Sequence, residues 1–118
     1  MSTHASFYRP AWLLLICALL AALALPHAAH ASEVENTRRL AAQGDAGAQF
    51  NLGLVYFHGA GVSRNLVNAH MWLNLSAAQG DSDAAAMREW FAREMSPAQL
   101  AQAQRRARAC LAANYRNC

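Results

Sequence analysis

Ala41-Ala42-Gln43-Gly44-Asp45 returns as Ala77-Ala78-Gln79-Gly80-Asp81, 36 positions further along the 118-residue chain. A period between about 20 and 50 residues is the signature of a stacked-repeat protein. In such a protein one unit cannot bury its apolar face alone, so neighbouring units share a core and leave a long outer face free. The repeat therefore points to binding rather than to catalysis.

Working outward from it, the periodicity is helical throughout residues 32–118. Ser32 with Glu35 three residues on reads as a capping box that opens a short helix to about Gln43. Gly44 ends it and Asp45 is placed to cap the next, where Ala48, Leu52 and Tyr56 recur at i, i+4, i+8. Gly59-Ala60-Gly61 stops that helix, with Val62 as an apolar plug in the turn. Asn65 is expected to cap a helix from Leu66 to Gln79, whose inner stripe is Leu66, Ala69, Leu73, Ser76 and Ala77. Gly80-Asp81 repeats the stop-and-cap signal, and the following helix runs to about Met95. Ser96-Pro97-Ala98-Gln99 opens the last helix, with Ser at the N-cap, Pro at N1 and Gln at N3. Nothing in residues 32–118 alternates at period two, so the expected class is all-α.

The first 31 residues read as a signal peptide. Arg9 supplies the positive start, Trp12 to Leu25 form an apolar run broken by Pro26, and Ala29-His30-Ala31 offers a small-x-small cleavage site. The run of 14 residues is shorter than the roughly 20 that cross a bilayer. Cleavage after Ala31 is expected, with no stable membrane span afterwards and a periplasmic or secreted destination. An uncleaved anchor is the competing reading.

Removing those residues takes away only Arg9 among the charges, so the net charge falls from +3 to +2. So small an excess gives no reason to expect a nucleic-acid partner. The chain contains no lysine, which excludes a P-loop lysine, a Schiff-base lysine and a Ser-x-x-Lys site. Cys17 leaves with the signal, and Cys110 and Cys118 remain as an exported pair expected to form a disulfide. Residues eight apart on one helix would sit about 12 Å apart, whereas a disulfide needs Cα atoms within about 7 Å. The last helix must then end near Asn114 and the tail fold back; the alternative is a cross-link between two chains through Cys118. His58 and His70 have no third ligand at metal spacing, so no metal is expected and no cofactor is implied.

Ala48-Gln49-x-x-Leu52-Gly53-x-x-Tyr56-x-x-Gly59-x-Gly61-Val62, then Ala69-x-x-Trp72 and Ala77-Ala78-x-Gly80, resembles a Sel1-like repeat. The resemblance implies a short tetratricopeptide-like α-solenoid of antiparallel helix hairpins acting as a protein-interaction scaffold. It covers one full repeat, residues 46–81, with a trailing half unit at 32–45 and a C-terminal cap at 82–118. Read physically, Ala48, Gly53, Ala77 and Ala78 let helices approach, and Tyr56 and Trp72 fill the space between units. One good unit and two partial ones leave two ways to be stable: caps with a disulfide, or a partner, including a homodimer.

In a tetratricopeptide-like stack the first helix of each hairpin lines the concave side. The expected partner-binding residues are Asn51, Val55 and His58, with their equivalents one period on, Met87, Phe91 and Glu94. Val55, Met87 and Phe91 equally suit an ordinary core. Arg105, Arg106, Arg108 and Arg116 make a basic end that also suits the helix dipole. The expected partner is a protein or peptide. The alternative function, a small β-lactam hydrolase or β-lactam-binding protein, comes from cysteine-rich secreted relatives of the resembled family, whose dense cysteine pairing this chain lacks.

Overall fold

The structure, a computed structural model, describes residues 10–118, and of residues 21–28 the backbone alone. Arg9 and the side chains of Leu25 and Pro26, read above as parts of the signal, lie outside the described residues. Five helices follow one another: α1 (Ala11–Ala42), α2 (Ala46–His58), α3 (Leu66–Ala78), α4 (Ser82–Ala92) and α5 (Pro97–Ala112). No strand occurs among the described residues, so the all-α class holds.

The helix starts follow the capping chemistry. Asp45 accepts from the Ala48 N–H at 2.7 Å, Asn65 from Asn68 at 2.9 Å and Asp81 from Ala84 at 3.0 Å. Each satisfies one of the N–H groups that a helix leaves unpaired in its first turn. At α5 the reciprocal box is complete: Gln99 N–H donates to Ser96 Oγ and Ser96 N–H to Gln99 Oε1. Gly59 closes α2 at φ 68°, in the left-handed region that glycine enters without strain.

One start differs from its expectation. Ser32 does not open a helix; it lies inside α1, and its hydroxyl donates back to the Ala29 carbonyl at 2.9 Å. With residues 11–31 attached, the preceding turn supplies carbonyls for the next N–H groups, so no cap is needed. Trp12, Leu14, Leu15 and Leu20 are exposed, whereas Val34 reaches Gly61 in the α2–α3 turn. No helix among the described residues is long and apolar enough to cross a membrane.

The body is organised around α3, which packs against α2, α4 and α5, while α1 packs on α2. The expected inner stripe of α3 understates its burial: Val67, His70, Met71 and Leu75 are covered as well. A helix with neighbours on three sides has almost no solvent face to keep polar. α2 and α3 run antiparallel, since Ser76 Oγ donates to the Ala46 carbonyl at 2.8 Å while the Asn65 N–H reaches the Tyr56 carbonyl at 2.9 Å. They pack tightly at Gly53, where an added Cβ would stand 2.8 Å from Leu73 Cγ and 3.2 Å from the Ala69 carbonyl. Leu73 and Ala69 are both fully buried and have nowhere to go.

Two apolar clusters result. Ala41, Ala48, Leu52, Trp72, Ala107 and Cys110 belong to the first, with Tyr56 and Tyr115 packed on it. Phe57, Ala69, Leu73, Ala84 and Phe91 make the second. A polar bridge, buried at Gln49 and exposed at Gln79, spans the turns of the repeat: Gln49 Nε2 donates to the Ala41 carbonyl at 3.2 Å, and Gln79 Nε2 donates to Gln49 Oε1 at 2.8 Å and to the Gly44 carbonyl at 2.9 Å. Of the seam alanines, Ala77 packs on the second cluster, but Ala78 is exposed.

After Ala112 the chain turns back, with Asn114, Tyr115 and Asn117 all at positive φ. The return joins Cys110 to Cys118 within the chain, their Cα atoms 5.2 Å apart. It also lays the Tyr115 ring against Gly44, where an added Cβ would meet Cε2 at 3.0 Å. The tail thus ties the last helix to the α1–α2 turn.

Two outcomes are expected. Gly53→Ala should lower stability in urea unfolding by about 1–3 kcal/mol through overpacking; unchanged stability would mean that the helices part at no cost. Replacing both Cys110 and Cys118 by Ser should cost about 2–3 kcal/mol, because the unfolded chain regains the freedom of the short loop.

Candidate functional site

α2 and α4 occupy equivalent positions one repeat apart, each set by an aspartate cap, and they meet through aromatic rings. Phe57 stacks on Phe91 with centroids 3.8 Å apart and planes 9° from parallel. Trp90 tilts against both, 5.3 Å from Phe57 and 5.5 Å from Phe91, and stays 46% exposed. Arg64, from the α2–α3 turn, places its guanidinium over the Phe57 ring at 5.0 Å. Its Nε donates to the Phe57 carbonyl at 2.9 Å, and Nη2 pairs with Glu94 Oε2 at 2.8 Å. Both partners of that pair are well exposed, so solvent screens it and it adds little to stability. It does position: Arg64 is held between the ends of α2 and α4, with His58 edge-on to Phe57 at 5.1 Å.

The six residues expected to line a groove are not one surface. Phe91 is fully buried and belongs to the core, so it cannot touch a partner. Val55 is half-buried against the first cluster and Met87 against the second. The reason is geometric: Phe91 points inward because α4 leans on α2 through the Phe57–Phe91 stack, while Val55 faces the other cluster, shared with α1, α3 and α5. Asn51 is exposed on α2, and His58 and Glu94 are exposed at the ends of the two segments. Trp90 escaped the sequence reading, which followed only the positions one period after Asn51, Val55 and His58. Its signal was present: an aromatic set between Glu89 and Phe91 one period after Leu54, on a helix whose inward position Phe91 already fills.

His70 has a different character. It is buried in α3, its Nδ1 has no hydrogen-bond partner, and with Asn74, Arg88, Glu89 and Gln104 it lines a cavity of about 260 Å³. Burial holds its pKa below the ordinary 6.5, the Arg88 charge adds to that, and the Glu89 charge opposes it. Arg88 is itself engaged, donating to Asn74 Oδ1 at 2.9 Å and pairing with Glu89 at 3.1 Å. Among the described residues no three His, Cys, Asp or Glu side chains converge as a metal site would need. The features above provide shape, aromatic surface and a few oriented charges: the means of recognition.

Residues 46–81 match the family model of the Sel1 repeat. The matched segment runs from the first residue of α2 to the aspartate that caps α4, one full hairpin and its exit turn. Sel1 repeats are in general protein–protein interaction modules and typically carry no catalysis, and the all-helical body agrees with a tetratricopeptide-like solenoid of that kind. No curated protein and no solved structure matches the chain.

The depressed His70 pKa has a definite sign. As pH falls, the unfolded chain takes up the proton before the folded one does. The stability that neutral His70 preserves is therefore complete above about pH 6.5 and is lost as pH drops from there toward the lower folded value. The urea midpoint should fall between about pH 7 and pH 5, and His70→Gln should flatten that slope. An unchanged slope in the variant would place the titration elsewhere.

Proposed function

We propose that this Sel1-repeat chain is an exported, non-enzymatic adaptor that holds a protein partner on the α2–α4 edge centred on Trp90. The observation that carries the reading is the exposed indole on a rigid aromatic base. A tryptophan fixed against Phe57 and Phe91 offers a large contact area whose ordering cost is already met, which is the usual make-up of an interface hot spot. Arg64 and His58 lie against Phe57, and Glu94 pairs with Arg64, so the same aromatic base carries the polar groups that an interface rim needs.

Export is supported by the Arg9 start, the apolar run to Leu25 and the Ala29-His30-Ala31 site. A disulfide in so small a domain suits an oxidising compartment. Cleavage after Ala31 keeps every α1 contact from Val34 onward, and it frees the Ser32 hydroxyl from the Ala29 carbonyl, so that it can cap the shortened helix.

The test compares the parent protein with Trp90→Ala in quantitative affinity capture from envelope extract. Trp90 is half-exposed, so folding should survive the substitution. Loss of a hot-spot residue weakens binding roughly 30-fold or more, and the main captured protein should drop accordingly. Equal capture by a folded Trp90→Ala variant would remove this edge from the reading.

A further inference from the structure

All seven acidic residues lie between Glu33 and Glu94, and the chain after Ser96 carries Arg105, Arg106, Arg108 and Arg116 with no acid. Helix dipole complementarity accounts for part of this, yet it does not require four charges on one short segment. Among the described residues the ion pairs fall on His30, Arg64 and Arg88, so none of these four arginines is engaged in one. The fold then does something specific with two of them. The returning tail and α5 border an open concavity of about 540 Å³ against the start of α3, lined by Asn68, Met71, Arg106, Cys110, Arg116 and Asn117 among others. Asn68 Oδ1 accepts from Arg106 Nη1 at 2.8 Å, which orients the guanidinium and leaves its other N–H groups free. Arg116 reaches the same cavity because the Cys110–Cys118 link folds the tail back. Arg105 and Arg108 are not among its lining residues and serve as an internal comparison.

We propose that this cavity receives the carboxylate side chains of an acidic segment of a protein partner. The proposal rests on the interaction reading and names the chemistry of the partner. Two guanidinium groups at one concavity match carboxylates by paired N–H donors, a geometry an ammonium could not offer. The concave shape, bounded by the tail on one side, suits projecting side chains better than the flat plane of a lipid surface. Trp90 is not among the residues that line it.

A fluorescein-labelled decaglutamate peptide is titrated into the full chain, disulfide intact, at low salt, with decaglutamine as the control. Binding of decaglutamate alone is expected. Arg106→Gln with Arg116→Gln should weaken it roughly tenfold or more, through loss of the charge-assisted hydrogen bonds. Arg105→Gln with Arg108→Gln removes the same charge and should weaken it less than about threefold, as a screened long-range effect. Equal weakening by the two pairs overturns the cavity, leaving only diffuse attraction, and so does absence of binding. Tighter binding to phosphatidylglycerol vesicles with the same dependence on Arg106 and Arg116 replaces the peptide by a lipid surface. Displacement by inorganic phosphate at peptide concentrations makes it a phosphate site. If decaglutamate fails while Trp90→Ala still abolishes partner capture, the adaptor reading stands and this proposal alone falls.

Discussion

The contact on which the molecule depends is the approach of α2 to α3 at Gly53. No side chain stands between the helices there, and Leu73 takes the place that a Cβ would occupy. Because the axes are close, α3 can reach both apolar clusters at once: Trp72 and Met71 on one side, Leu73 and Ala69 on the other. Tyr56 then fills the gap that a small-residue seam leaves between units, and α4 and α5 find a complete wall to pack against. A wider spacing would leave voids on both sides of α3, and protein interiors tolerate few of those.

Polar groups set register where apolar packing alone would allow sliding. Gln49 is wholly buried, yet both ends of its amide are bonded, to Ala41 and to Gln79. Ser76 ties the end of α3 to the start of α2. A buried amide without partners would be costly, so these bonds single out one alignment of the turns. His70 is the exception, a buried imidazole with one nitrogen unmet beside a small polar cavity.

The two ends of the helical body differ. At one end α1 continues beyond the packed body. At the other, three residues at positive φ and a disulfide turn the tail back until Tyr115 covers Gly44. That closure shapes the arginine-lined cavity, so the element that completes the fold also builds a surface. The Trp90 edge arises in the same way: Phe91 turns inward to stack on Phe57, and its neighbour is left standing outside.

Much of this was legible from residue order. The 36-residue return is visible in residue order alone, and the aspartate and asparagine caps, the Ser96–Gln99 box and the glycine stops are local signals, each satisfied within three or four residues of itself. The need for the tail to fold back followed from helix rise once Cys110 and Cys118 were taken as a pair within one chain. The partner-facing residues were not legible in this way. Val55, Met87 and Phe91 lie on the correct helices, but whether a side chain faces solvent or a neighbour depends on how far one helix leans on the next. The start of α1 differs for another reason: the Ser32 cap was read for a chain without residues 1–31, and with them attached the helix runs through Ser32. Chain order by itself determined that there would be helices, where most of them begin and how often they repeat, because those depend on neighbouring backbone groups. Only the tertiary structure decided which aromatic ring stays outside and which arginines share a cavity, because those depend on the separation and tilt of helices distant in the chain.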